Sequence, residues 1–352
     1  MAVGEYDYLN ARVRGMSRHF ISTETLQQIV DASDVEVVID VLMDSPYASS
    51  VSEARTTHSG IAAVEVALRT SLFETLQKVR EIAPRGPRRL ITIQLNRWDI
   101  DNVVVLLRGV AAGVPADEIA DGLTPAGEYR PVQLAELARE PDVQSLSDAL
   151  TTWGYEFATT LRRMLLDSGP EIDVNAAEAD LFTAYALWAF DQLDPHDPNH
   201  EVLRELLKLQ IDLKNVISVL KRVQYNSLGV DAPELRILPG GSFSLHLLRE
   251  LDRSNTVPDA LSLLEKTHFA PGIERGVLSY GGTDRVSGIE RFLEAVVIGR
   301  GIELFRGDPL SAAVPLGFIW RKVNEYENLR MILRGKHYQV PPNRIREALV
   351  LV

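Results

Sequence analysis

Three decapeptides constrain this chain more than anything else in it. "DIDNVVVLLR" (99–108), "DLKNVISVLK" (212–221) and "EYENLRMILR" (325–334) superpose without a gap, so that Asn102, Asn215 and Asn328 fall 113 residues apart both times. An acid recurs three positions before each asparagine, at Asp99, Asp212 and Glu325. Apolar residues recur at Val103, Val216 and Leu329 and at Leu107, Leu220 and Leu333, and a base recurs at Arg108, Lys221 and Arg334. A register kept at a fixed period marks duplicated architecture. Three equal units follow, running 1–120, 121–236 and 237–352, with the turn-rich "GLTPAGEY" (122–129) and "ILPGGSFS" (237–244) opening the second and third.

A second register supports the same division. In "LQQIVDASDVEVVIDVL" (26–42), "LAELAREPDVQSLSDAL" (134–150) and "LRELDRSNTVPDALSLL" (248–264), Val35, Val143 and Val257 each sit nine residues after one leucine and seven before another. An aromatic follows twelve residues later, at Tyr47, Tyr155 and Phe269, read as a packing residue at a helix end.

Apolar residues at i, i+3, i+4 and i+7 predict helices over 24–43, 61–82, 94–112, 133–150, 152–166, 176–192, 200–224, 243–252, 258–267, 285–305 and 315–335. Ser22 to Glu24 reads as a helix start, while "APRGP" (83–87), "DPHDPN" (194–199) and Val340-Pro341-Pro342 read as stops. Strand-like alternation is nearly absent, so the expected class is all-α.

At about 100° per residue the repeated acid lies about 60° from its asparagine, among the apolar positions of the same face. A carboxylate there needs donors, because an uncompensated buried charge costs several kcal/mol. The base six residues after the asparagine points to the opposite side of its helix. Two sources of a donor remain: a polar contact between helices of neighbouring units, or the basic N-terminal stretch Arg12, Arg14 and Arg18. Trp98, Ile319 and Trp320, near the repeated stretches, read as core, with a lining role toward a partner as the second reading.

Chemistry finds little support. Three copies of one acid in equivalent settings do not make a catalytic pair, which needs two differently tuned groups at one point. No P-loop occurs; "VLSYG" (277–281) has Val277 where a nucleophile elbow around Ser279 needs glycine; and Pro198 interrupts the spacing of His196 and His200. No catalytic, cofactor or metal site is expected. The chain has no cysteine and carries a formal net charge of −12, which argues against a nucleic-acid role. No window approaches 18 uncharged apolar residues, so any membrane role is expected to be peripheral.

The N-terminal "YDYLNARVRGM" (6–16), the threefold register and the C-terminal "PLGFIWRKVNEYENLRMILRGKHYQVPPNRIREALV" (315–350) resemble the central-stalk C subunits of bacterial and archaeal V/A-type rotary ATPases, the counterparts of the eukaryotic V-ATPase d subunits. The end motifs carry the likeness: Tyr8, Asn10, Ala11, Arg12, Val13 and Arg14, then Asn324, Glu325, Asn328, Leu329, Arg330 and Gly335. The resemblance implies three similar helical domains in a pseudo-threefold funnel or socket on the cytoplasmic face of the membrane. It implies a non-catalytic rotor part without cofactor, whose partners are the central-shaft subunits and the proteolipid rotor ring, and which couples ATP turnover to proton or sodium ion transport. The alternative is an all-α adaptor without a rotary role. Tyr8, Asn10, Arg12, Arg14, Asp99, Asn102, Asp212, Asn215, Glu325, Asn328, Arg330 and Arg334 are the expected structural or interface residues.

Overall fold

The computed structural model describes residues 4–168, 173–232, 234–283 and 285–351; of Ser168, Ser279 and 281–283 it describes the backbone alone. Ser279 as a nucleophile therefore lies outside the described side chains. Every regular element among the described residues is helical. An N-terminal helix, α1 (Asp7–Met16), precedes a series that recurs three times as short helices followed by two long ones. The first series is α2 (Thr23–Asp31), α3 (Val35–Met43), α4 (Ala48–Ala54), α5 (Gly60–Ile82) and α6 (Arg85–Ala111), followed by α7 (Ala116–Gly122). The second is α8 (Pro131–Leu137), α9 (Val143–Thr152), α10 (Ala158–Ser168), α11 (Val174–Asp191) and α12 (Pro198–Ser227). The third is α13 (Leu245–Asp252), α14 (Val257–Ser262), α15 (Ala270–Thr283), α16 (Val286–Glu303) and α17 (Ala313–His337), followed by α18 (Pro342–Ala348). The three decapeptides lie on α6, α12 and α17, the last long helix of each series.

The windows 24–43 and 133–150, read as single helices, are each two. A capping residue breaks them immediately before the repeated valine: the Asp34 carboxylate accepts from the backbone N–H of Glu36 and Val37, and Asp142 accepts from that of Ser145. Thr256 caps α14 in the same way, through the N–H of Asp259. A side chain that satisfies the free N–H groups of a first turn starts a new helix even where the apolar period runs on. Two stops also prove to be starts. "APRGP" leads straight into α6, where Pro87 is tolerated in the first turn, and Pro342 opens α18. Ser22 caps α2 as expected, and Pro198 opens α12 behind its cap Asp197, which leaves His196 outside the helix.

The contacts divide into two compact bodies. One comprises Met1–Val105, Pro115–Arg139 and Gly301–Val352; the other comprises Leu106–Val114 and Glu140–Arg300. In the first, α17 packs against α5, α1, α3, α18 and the short 3-10 turn Leu304–Arg306, and it buries Phe318, Ile319, Tyr326, Ile332 and Leu333. In the second, α12 packs against α11, α13 and α14, burying Leu207, Val216, Val219 and Leu220. Tyr47, Tyr155 and Phe269 are buried, in keeping with their reading as packing residues. Asp34→Ala leaves two first-turn N–H groups without their acceptor and is expected to lower stability by about 1 kcal/mol, measurable as a lower urea midpoint at unchanged slope.

Candidate functional site: a polar joint repeated three times

Each repeated asparagine clamps one backbone residue from both sides. Asn102 donates from Nδ2 to the Thr124 carbonyl and accepts the Thr124 N–H on Oδ1, both at 2.8 Å. Asn215 does the same to Leu238, at 3.0 and 2.8 Å, and Asn328 to Val350, at 2.9 and 3.1 Å. All three side chains are buried. Asn324 adds a second donor to the Val350 carbonyl. An amide offers a donor and an acceptor side by side without charge at any ordinary pH, and so matches the N–H and C=O of a single residue.

The acid one turn earlier takes the segment that leads into the first helix of a series. Asp99 accepts the Glu128 N–H at 2.8 Å, just before α8. Asp212 accepts the Phe243 N–H at 3.0 Å and the Ser242 hydroxyl, just before α13. Glu325 accepts the Ile21 N–H at 2.7 Å, just before α2. The third copy thus reaches the start of the first, and the order of contacts, one to two, two to three, three to one, closes on itself. In each copy one donor is a backbone N–H. The pairing with Arg12, Arg14 and Arg18 expected as one alternative does not form at Asp99, which is buried against the 127–129 segment.

Gly127 and Gly241 make the approach possible. A Cβ on either would overlap the carboxylate of Asp99 or Asp212, so the backbone lies against the acid only where no side chain intervenes. The third copy has the longer glutamate in the corresponding place and Phe20-Ile21 opposite it.

Charge compensation differs among the copies. Asp99 is fully buried, its Oδ1 has no hydrogen-bond partner, and burial raises its pKa to about 7, against the opposing pull of the Glu128 N–H; the Glu128 charge raises it further, while the Tyr129 backbone and Arg80 lower it. Asp212 has His268 Nε2 at 3.6 Å, on an imidazole stacked over Phe243 at 4.7 Å. Burial lowers the His268 pKa and the Asp212 charge opposes this. Glu325 Oε1 receives both Lys322 Nζ and the Tyr47 hydroxyl at 2.8 Å, and Lys322 also donates to Tyr47. Burial, then the charge of Glu325, drives the Tyr47 hydroxyl pKa well up, so it remains a donor.

The repeated bases also follow a cycle. Arg108 pairs with Glu178 on α11, Lys221 with Glu290 on α16 at 3.2 Å, and Arg334 with Glu65 on α5 at 2.9 Å. These glutamates are themselves spaced 113 and 112 residues apart, a register missed in the sequence because their flanking residues differ. Partly exposed pairs contribute about 0.2–1 kcal/mol each, so they select the neighbour more than they hold it.

The remaining expected residues sit around the first body. Asn10 donates to the carbonyls of Pro309 and Ser311, at 2.8 and 3.0 Å. Arg12 donates to the exposed Tyr8 hydroxyl, Arg14 stands over the Phe305 ring, and Arg330 lies 3.7 Å from Glu327. Trp98, Ile319 and Trp320 are 5%, 0% and 4% exposed, which leaves no surface for lining a partner site. Trp98 and Trp320 pack on each other with Arg97 over both rings. The His200 Nδ1 accepts the Asp194 N–H in the loop before α12.

This geometry defines a repeat-built helical protein whose buried polar groups bind its own backbone. The chain belongs to the ATP synthase (C/AC39) subunit family, whose sequence profile matches residues 9–348. It is similar to the C subunit of the A-type ATP synthase of Pyrococcus furiosus, 26% identical across 97% of this chain and 89% of that protein. The corresponding A-type C subunit of Methanococcoides burtonii is 27% identical across 98% and 94%, and the V-type ATP synthase C subunit of Deinococcus radiodurans 26% across 97% and 90%.

Two outcomes test the joint. Asn215→Ala strands the buried N–H and C=O of Leu238 and is expected to cost about 2–4 kcal/mol, whereas exposed Asn226→Ala is expected to cost almost nothing, both read by denaturant unfolding. Asp99 titrates at about 7 in the fold against an ordinary aspartate value of 3.8, so the folded state favours the proton. Its contribution is full below about pH 4 and is lost as pH rises through about 7. Asp99→Asn is therefore expected to cost less at about pH 8 than at about pH 5, by a few kcal/mol; an equal cost at both contradicts the burial argument.

Proposed function

We propose that this chain is a non-catalytic central-stalk subunit of a V/A-type rotary ATPase. It links the central shaft of the soluble motor to the membrane rotor ring and couples ATP turnover to proton or sodium ion transport. In this reading the units 1–120, 121–236 and 237–352 are three similar domains in a pseudo-threefold funnel or socket. The protein sits peripherally on the cytoplasmic face of the membrane, with shaft subunits and ring as partners. Among the described residues no helix is long and apolar enough to cross a membrane.

The observation that carries the reading is the threefold joint. A part that passes torque between two bodies needs stiffness distributed around an axis, and a reaction centre adds nothing to that task. Side chains that bind backbone at three equivalent places fix one residue against one residue, so a one-residue slip breaks both hydrogen bonds of an asparagine clamp. Apolar packing alone tolerates such slips more readily. Three of the buried ionisable groups, Asp212, Glu325 and Lys322, each have a partner inside the protein.

The test is reconstitution of the rotary enzyme in sealed vesicles with and without this chain. ATP hydrolysis by the soluble motor is expected to persist without it while ion pumping is lost and returns on adding the chain back. Undiminished pumping in its absence contradicts the reading.

A further inference from the structure

Helix α1 is the element without a counterpart in the other two series, and it stands beside a group of arginines that have no ion-pair partner among the described residues. Arg14 lies 5.6 Å from the centre of the Phe305 ring, and Arg321 lies 6.0 Å from the same centre and 4.2 Å from that of Phe20. Arg306, beside Phe305 in the chain, is close enough for its charge to oppose that of Arg321. Arg69, Arg80, Arg108, Arg236, Arg334 and Arg346 each have a carboxylate partner, which these three lack. Among the described residues none pairs with Arg14, Arg306 or Arg321. The carboxylate whose charge reaches Arg321 is Glu325, already held by Tyr47, Lys322 and the Ile21 N–H.

The backbone that carries the group is held in place. Asn10 ties α1 to the Pro309 and Ser311 carbonyls just beyond Phe305, and Gly317 lets the Phe305 backbone lie directly on α17, where a Cβ would overlap it. Two guanidiniums over one ring, in a chain of net charge −12, repel each other, and attraction to the ring face, worth about 0.5–1 kcal/mol at exposed sites, supplies no counter-charge. A set of arginines without carboxylate partners, carried on backbone that is held in place, suits an anionic surface, because the ordering cost of that backbone is already met before the partner arrives.

We infer that Arg14, Arg306 and Arg321, arrayed around Phe305, form a docking surface for an acidic face of a partner protein. The surface deepens the central-stalk reading and rests on it. Planar guanidiniums take carboxylates in paired hydrogen bonds. An anionic membrane fits less well: polybasic lipid sites gather roughly four to eight bases, and the net negative charge of the chain opposes approach to such a surface.

The experiment uses the full-length chain and Arg14→Glu/Arg306→Glu/Arg321→Glu, with Arg14→Gln/Arg306→Gln as a milder pair at exposed positions, and thermal unfolding as the folding control. Binding is measured to the purified soluble motor sector, to the purified membrane sector, and to phosphatidylglycerol vesicles, at low and high salt. The expected result is salt-sensitive binding of the natural chain to one protein sector, weakened on the order of 100-fold by the triple reversal and several-fold by the pair. Unchanged binding of folded variants to that sector overturns the docking surface while leaving the stalk reading intact. Charge-dependent binding to vesicles alone overturns the assignment to protein. Failure of the natural chain to bind either sector overturns the stalk reading, and this inference with it.

Discussion

A carboxylate buried on a helix must be met by donors, and here each acid takes a backbone N–H from the segment that starts the next series of helices. Much of the structure follows from that. The acid must face inward, so it sits among apolar positions. The approaching backbone must be free of a side chain, so Gly127 and Gly241 stand where they do. The approach also places an asparagine one turn on against Thr124 or Leu238, where a single amide satisfies both polar groups of one residue. The architecture is therefore held by contacts that accept one register only.

The three joints are not equally assisted, and sequence separation gives a reason. Asp99 and Glu128 are 29 residues apart and Asp212 and Phe243 are 31, but Ile21 and Glu325 are 304 apart. Loop closure grows as about 1.5 RT ln n, so the third contact carries roughly 2 kcal/mol more entropic cost. It is also the copy in which a lysine and a tyrosine both reach the acid. Hydrogen bonds to charged groups contribute about 1.5–3 kcal/mol, enough to offset the difference. The first joint is closed locally and tolerates a carboxyl group with an unpaired oxygen.

The helical class, the threefold register and the inward acid were legible because each leaves a pattern at fixed spacing in one dimension. The partners were not. Glu128, Phe243 and Ile21 contribute backbone N–H groups, which carry no residue identity, so composition and motif reading pass over them. The turn-rich stretches at 122–129 and 237–244 were visible as breaks between units; that they are what the acids and asparagines grip depends on the folded path. Asp34 and Asp142 hid inside periodic windows, because a cap changes the backbone without interrupting the apolar spacing. The expected alternative partners, Arg12, Arg14 and Arg18, were nominated by charge alone, and backbone amides, joined by Ser242 at Asp212 and by Lys322 and Tyr47 at Glu325, supplied the donors instead.

Amide hydrogen exchange at single-residue resolution tests the closed series of joints most directly. Ile21, Glu128 and Phe243, with Thr124, Leu238 and Val350, lie outside helices, where exchange is ordinarily fast. The account predicts that all six amides are protected and that the pair at Ile21 and Val350 exchanges no faster than the other four. Rapid exchange at Ile21 and Val350 beside slow exchange at Glu128 and Phe243 would contradict it, by showing that the third copy does not hold the first.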